Sequence, residues 1–389
     1  MSGLLDRLIS PAIREPASCQ ILAGPVPLPI GGLSNMVKSV EIVASRSEAA
    51  TGTIVLEDRR LDEGRWAVAD SGVFRRWTAV QVAALFGLRR ESVFSGVVKA
   101  IEPKFASGGA DTSIEIKLQD VSLLLDRTHV QRAWGDPAPQ TDGMIVRELI
   151  GGAGILADEP IGEGQSGRVL QQNATAIRFI QDRARANGYE LYTTREGRLY
   201  FGPMRLTGEP QAPILVLAGP DTSCISLEIS DDAMRPDAVT YETAPASGTR
   251  ADTATVQPDL PALGTSPASS ERPDRGGDYT WRLQREGDES AETARTRAQG
   301  AADANAFKLK ATGELDGAVY GHVLEVGRTV RLDGVGPRYG GRWYVDKVTH
   351  AFSGEGYRQR FELIRNATGD DGGAGGALGA FSSLLGVFG

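Results

Sequence analysis

Ile114-Glu115-Ile116-Lys117-Leu118-Gln119 alternates apolar and polar residues without a break, the period-2 pattern of a strand with one buried and one wet face. Upstream, Val40, Ile42 and Ala44 alternate with Glu41 and Ser45 in the same way. The runs beginning at Gly52, Thr78 and Ser92 are rich in β-formers. Five such runs with little helix between them make residues 21–136 an antiparallel barrel, closed or nearly so. Residues 1–20 read as an N-terminal arm.

Past Trp134 the period changes. Thr141 and Asp142 predict an N-cap for a helix that Gly151 and Gly152 stop. Asn173 predicts the cap of a second helix, with Ala176, Ile177, Ile180 and Ala184 as its apolar stripe and Asn187-Gly188 as its end. A hairpin turning at Glu196-Gly197 follows, then strands at Ile214 and Ser226, so residues 137–243 read as mixed α/β. Residues 244–278 contain no aromatic side chain and are crowded with Pro, Ser, Thr, Asp and Gly. Such a composition buries too little apolar surface to offset its ordering entropy, which predicts a flexible linker. An Ala/Glu/Arg helix from about Glu289 to Asn305 opens the block 279–366, a second barrel-like domain. There Tyr357, Phe361 and Leu363 face one way while Arg358, Arg360 and Glu362 face the other.

The fold class predicted is therefore mainly β with α+β insertions: two antiparallel β-barrel domains flanking a mixed α/β region. Residues 367–389 read as a Gly-rich spacer and an apolar tail. Within it Leu378, Phe381, Leu385 and Phe388 recur at intervals of three and four, the spacing of one helix face. On a glycine tether these four residues are the candidate partner-docking site; folding back onto the chain's own domain is the alternative. A 13-residue tail is too short to cross a bilayer, which takes about 20 helical residues.

At 389 residues the chain has room for two or three domains, and 41% hydrophobic residues can build a core. Net charge is 42 − 50 = −8, with no dense basic block beyond pairs such as Arg59-Arg60, Arg75-Arg76 and Arg89-Arg90. This argues against specific nucleic-acid binding, which needs a basic face. Cys19 and Cys224 are far apart, without the spacing of a metal or disulfide site, and read as small apolar residues of a chain made in a reducing cytosol. No run of 18 apolar residues is present, so no membrane insertion is predicted.

Several motifs could carry chemistry, and each has a structural reading beside it. Gly152-Ala153-Gly154-Ile155-Leu156-Ala157 matches a loose dinucleotide fingerprint but follows a helix pattern instead of a strand, which makes it a helix stop and turn. His129, His322 and His350 have none of the spacings of a zinc site and read as ordinary surface or packed histidines. Glu57-Asp58 and Asp231-Asp232 are adjacent, so on a strand they point to opposite faces. Asn173-Ala-Thr and Asn366-Ala-Thr match the glycosylation pattern, but a cytosolic chain is not modified there. No catalytic, cofactor or metal residue is predicted.

In combination, several segments are more specific. FSGVVKAIEP from Phe94, VSLLLDR from Val121 and TDGMIVRELIGGAGI from Thr141 resemble the phage late-control protein D family. So do QQNATAIRFIQDRARANGYELYTTREGRLYFGP from Gln171 and the final block, VGRTVRLDGVG then GGRWYVDKVTHAFSGEGYRQRFELIRN. The resemblance spans roughly residues 30–366 and extends to the hub portion of VgrG proteins. It implies tail-tube-like barrels and a non-enzymatic homotrimeric baseplate hub of a contractile tail or injection system. Its implied partners are a hexameric tail tube protein, a spike protein and other baseplate proteins. Two barrels per chain give six units in a trimer, which matches a hexameric ring above and a trimeric spike below. The chain departs from the VgrG form in lacking a repetitive spike region or a lysozyme-like domain after residue 366, so the spike is expected to be a separate chain. Its 244–278 segment is also longer than the family pattern requires. The rival readings are a tail-associated cell-wall hydrolase, which would need convergent titratable groups, and a peripheral carbohydrate-binding tail protein, which would show repeats or exposed aromatics.

Overall fold

Alternation along the first β-rich run sends every second side chain into one core. In the computed structural model, which describes residues 17–26, 28–105, 112–167, 169–243, 252–271, 277–285 and 289–370, that run becomes β1 (Ala17–Ala23), β2 (Leu28–Pro29), β3 (Val37–Ser45), β4 (Thr51–Glu57), β5 (Ala79–Phe86), β6 (Arg89–Lys104) and β7 (Ser113–Asp120). Val40, Ile42, Ile54, Leu56, Ile114, Ile116 and Leu118 are all buried in one cluster. Fully burying each such side chain is worth about 1.5–3 kcal/mol. The 1–20 arm ends earlier than its composition implies, because Ala17–Gln20 pair with Ala83–Phe86 of β5.

The α/β region contains β8 (His129–Trp134), helix α1 (Asp142–Gly152), β9 (Leu170–Thr175), helix α2 (Ala176–Asn187), β10 (Glu190–Thr193) and β11 (Leu199–Gly202). Thr141 caps α1 as expected, its hydroxyl accepting the N–H of Met144 at 3.1 Å. Asn173 does not cap α2. It lies in β9 opposite Gln131, and Thr175 is the first flanking residue of the helix. The strand pairing with β8 keeps the backbone extended through Thr175, which moves the helix start past the asparagine. Gly188 ends α2 at φ 64°, and its Cα side lies so close to Gly300 that an added Cβ would sit 2.9 Å from the Gly300 Cα.

The next strands are β12 (Gln211–Leu215), β13 (Cys224–Asp231), β14 (Ala238–Thr243), β15 (Asp252–Val256), β16 (Ser266–Pro267) and β17 (Thr280–Leu283), followed by helix α3 (Ala291–Asn305). The chain ends its described part with β18 (Leu309–Asp316), β19 (Thr329–Asp333), β20 (Gly341–Ser353), β21 (Gly356–Arg365) and β22 (Ala367–Thr368). Ala294, Ala298 and Ala302 of α3 recur every four residues and pack against Val239 and Tyr241 of β14.

The mainly-β class with α/β insertions is what the sequence predicts, but the two β-rich blocks are not separate bodies. A 13-stranded sheet, curled into a half-barrel, runs β13-β18-β21-β20-β3-β4-β7-β6-β5-β1-β2, with β19 joining β20 and β12. The seam is β20 against β3, Lys347–Phe352 antiparallel to Val40–Ser45. β12 and β13, which lie in the 137–243 block by sequence, belong to this sheet, because Ile214 packs with Leu309, Val330 and Trp343.

Residues 252–271 correct the linker expectation. Asp252–Val256 pair with β14, and Ser266–Pro267 pair with Ala367–Thr368, residues that the sequence places in the spacer. Leu263 is 2% exposed, packed with Leu206, Phe307, Tyr344 and Ile364. Arg365, fully buried, donates to the carbonyls of Leu263 (3.0 Å), Tyr339 (3.0 Å) and Gly369 (2.7 Å). Asn366 receives the Leu263 N–H at 2.9 Å and donates to Pro261 at 3.0 Å. Composition misleads here because two buried polar residues on β21 and its exit supply the bonds that the segment cannot make itself. Leu378, Phe381, Leu385 and Phe388 lie outside the described residues. Among those described, no helix is long and apolar enough to cross a membrane.

Arg365→Ala would leave the carbonyls of Leu263, Tyr339 and Gly369 without their charged donor. It should cost about 3–5 kcal/mol in urea unfolding and open residues 252–271 to protease, which the native chain should resist. A loss under about 1 kcal/mol would show that Arg365 is not the clamp.

Candidate functional site

The strands that bury Ile54 and Ile116 on one side show a polar row on the other. Ser226, Glu314, Arg360, Thr349, Val43, Thr51 and Gln119 stand side by side across β13, β18, β21, β20, β3, β4 and β7. Beside it runs a second row, Asp316, Arg358, Ala351, Glu41, Thr53, Lys117 and Ala100, which reaches β6. The polar face is therefore continuous across the seam. Its charges meet each other: Arg360–Glu41 at 2.9 Å, Arg358–Asp316 at 2.9 Å, Lys310–Glu362 at 2.5 Å and Lys117–Glu115 at 2.7 Å. Bonds from Lys104 and Lys117 pull the Glu115 carboxyl down to about 2. Exposed pairs of this kind add little stability, but they leave few uncommitted charges on the face.

Behind the face, the β10–β11 hairpin is wedged between the two halves of the sheet. Arg46, at the end of β3, donates to Glu190 of β10 at 3.1 Å and pairs with Asp346 of β20, while the Tyr344 hydroxyl donates to Glu190 at 2.5 Å. Burial raises the Glu190 carboxyl, against the opposing pull of the Arg46 charge. At the hairpin's turn, Gly197 sits at φ 80°, where an added Cβ would lie 2.9 Å from the Ser95 hydroxyl of β6. Arg195 approaches Glu91 of β6 at 3.5 Å and Glu325 of the second half at 3.7 Å. Glu91 also meets His322 at 3.2 Å and accepts the Val323 N–H at 2.9 Å. Burial opposes ionisation of Glu91, but these bonds and Arg89 outweigh it and hold the carboxyl below its usual range.

A groove of about 770 Å³ lies beside the hairpin, lined by Tyr189, Arg195, Tyr200, Arg205, Glu325 and Arg328. Each of its arginines is committed: Arg195 as above, Arg205 to Asp158 at 2.5 Å and Arg328 to Glu325 at 3.5 Å. The histidines do not converge. His129 is exposed on β8, His322 meets Glu91, and His350 is buried on β20 with its Nδ1 2.8 Å from the Tyr357 hydroxyl. Among the described residues no group of three or more His, Cys, Asp or Glu could hold a metal ion. Glu57 and Asp58 do diverge; Asp58 turns inward and accepts the N–H groups of Arg59, Val68 and Ala69. Gly152–Ala157 forms the end of α1 and the turn after it, with Gly154 at φ 71°. Both cysteines are free, and burial raises their thiols to about 12 for Cys19 and 11 for Cys224. Arg46, Glu190, Glu91 and Arg195 carry no motif; their one-dimensional signature is a charge near a strand end, which surface residues share.

Solved structures with a similar fold include tail proteins. The 43 kDa tail protein of prophage MuSo2 from Shewanella oneidensis matches with TM-score 0.65 and 14% identity, over 90% of this chain and 100% of that one. A tail protein from Neisseria meningitidis MC58 matches with TM-score 0.64 and 11% identity, over 90% and 97%. An E. coli component of the type VI secretion system, described as structurally similar to T4 bacteriophage tail proteins, matches with TM-score 0.50 and 12% identity, over 85% and 73%. At such identities the likeness is one of fold. A family model described as the Alg8 N-terminal domain matches residues 32–354, a description different from the late-control protein D family that the motifs resemble. No curated protein matches the sequence.

His350 offers a pH test of the seam. Burial, with the Arg195 charge second, lowers its imidazole to about 3. The unfolded chain takes up this proton near pH 6.5 and the folded chain does not. The contribution is therefore complete above pH 6.5 and is lost as pH falls from there toward 3, at about 1.4 kcal/mol per pH unit. Unfolding measured from pH 7 to 5 should show a loss in the native chain that His350→Gln removes. Equal slopes for the two proteins would mean that His350 does not stay neutral in the fold.

Proposed function

The chain belongs to the Alg8 N-terminal domain family, and we propose that it is a structural baseplate hub of a contractile tail or injection machine. Three copies close into a ring that adapts a hexameric tail tube to a trimeric spike. One observation carries this reading: the two halves of the sheet each contribute four consecutive antiparallel strands, β13-β18-β21-β20 and β3-β4-β7-β6, to one polar face. Two such sets per chain give 2 × 3 = 6 in a trimer, and a closed ring mates with a sixfold partner when the counts agree. The fold shared with tail proteins over 90% of this chain supports the same reading.

The role is mechanical and needs no catalytic group. Self-paired charges such as Arg360–Glu41 and Arg358–Asp316 suit a wall that a payload passes, because a polyanion gains affinity by meeting unneutralised cations. The hub is assembled in the bacterial cytoplasm and works in the baseplate of the particle, against the tube protein, the spike and neighbouring baseplate chains. Light scattering on the purified protein, with its spike partner where assembly needs one, should give a trimer, and electron microscopy a ring with a central opening. A monomer under both conditions would refute the hub.

The C-terminal tail completes the proposal as a docking peptide for the spike or an adjacent baseplate chain, presenting Leu378, Phe381, Leu385 and Phe388. Left in water, each would forgo roughly 1.5–3 kcal/mol of burial, and three copies on tethers add avidity. Deleting residues 377–389 should leave the trimer intact while weakening recovery of its partners in a pull-down. Aggregation or lost thermal stability in the truncated chain would assign the tail to the core instead.

A further inference from the structure

The eight-strand stretch has two backbone edges with no partner strand. At one end β13 pairs with β18 and, among the described residues, with nothing on its outer side. At the other end β6 is longer than its neighbour: β5 covers it only as far as Val97, and Thr78 and Trp77 bond Val98. From Lys99 to Lys104 it has β7 on one side and no described backbone partner on the other. Unpaired N–H and C=O groups in a strand edge are a template for another chain.

The two edges match each other better than either matches itself. Strand direction alternates throughout the path from β13 to β6. The path contains eight strands, an even number, so β13 of a second copy laid against β6 continues the antiparallel order. On the polar face, Glu228 of β13 forms no ion pair with any described cation, whereas Glu41, Glu115, Asp316 and Glu362 each do. On β6, among the described residues, Lys99 bonds only the Gln119 amide oxygen, at 2.9 Å. A register that sets Glu228 opposite Ala100 puts Glu228 beside Lys99 and Ser226 opposite Glu102. The same register brings Ile225, 52% exposed, to Pro103 and Phe105, the latter 61% exposed and resting on Trp66 at 5.1 Å between ring centroids. Pro103 has no N–H, so the paired run stops there.

Resting on the ring reading above, we propose that copies of this chain join head to tail through these edges, β13 of one against residues 99–102 of β6 in the next. The joint is heterologous, so it propagates in one direction and closes after three copies, instead of stopping at a twofold dimer. It extends the polar face from chain to chain with no break in the hydrogen-bonded sheet.

Cysteine cross-linking of the full chain tests the register. In a Cys19→Ser, Cys224→Ser background, Ser226→Cys with Glu102→Cys should oxidise to covalent dimers and trimers on a non-reducing gel, and neither single variant should. A light-scattering trimer that does not cross-link would overturn the joint and leave the ring reading standing; a monomer would overturn both. Efficient cross-linking of a single variant to itself would show a twofold contact and overturn the head-to-tail joint. A charge swap supplies a second readout. Glu228→Lys should raise the dissociation constant of the trimer about tenfold or more, and adding Lys99→Glu should restore it. A trimer indifferent to Glu228→Lys would also overturn the joint.

Discussion

The pairing of β3 with β20 is the constraint on which the rest depends. Val40–Ser45 and Lys347–Phe352 lie some 300 residues apart in the chain, yet their antiparallel ladder turns two β-rich blocks into one sheet. Because side chains alternate with period 2, a slip of β20 by one residue against β3 would turn His350 outward and Thr349 inward while Ile42 stayed inside. The apolar faces on both sides of the seam exclude that slip. Phe352 and Tyr357 from the second half are buried in the first half's core, so the seam is packed as well as hydrogen-bonded.

The hairpin of β10 and β11 holds the seam at one angle. Its buried Glu190 is unfavourable anywhere but beside Arg46 and the Tyr344 hydroxyl, and those partners come from opposite sides of the seam. A buried charge adds little net stability but strongly penalises arrangements in which its partner is missing. The turn acts similarly, with Arg195 between Glu91 and Glu325. Stability thus resides in the apolar clusters, while the relative placement of the halves is enforced by polar groups.

Regular alternation made the individual strands legible. The strand from Ser113 to Asp120 and that from Gly356 to Arg365 fall where Ile116 and Phe361 predict them, because the burial of one face imposes its period on the residues themselves. Helix ends were legible where a side chain reaches its own backbone, as at Thr141, and not at Asn173, where a neighbouring strand overrides the local preference. The segment 252–271 misled because composition counts only what a segment offers, and here Arg365 and Asn366 offer the bonds from outside it. The junction residues were illegible for a different cause: Arg46, Glu190 and Glu91 become unusual only by being brought together.

By itself, then, the sequence determined that this protein is mainly β, with a mixed α/β region between two β-rich blocks and paired polar and apolar faces along its alternating strands. These properties are local; they follow from side-chain period, capping and turn chemistry within a few residues. Tertiary structure alone decided that the blocks form a single sheet, that β12 and β13 join it, and that one hairpin pins its two halves. Such choices depend on contacts between residues hundreds of positions apart, whose free energy comes from shape and burial at the meeting surfaces and leaves no periodic trace in either partner.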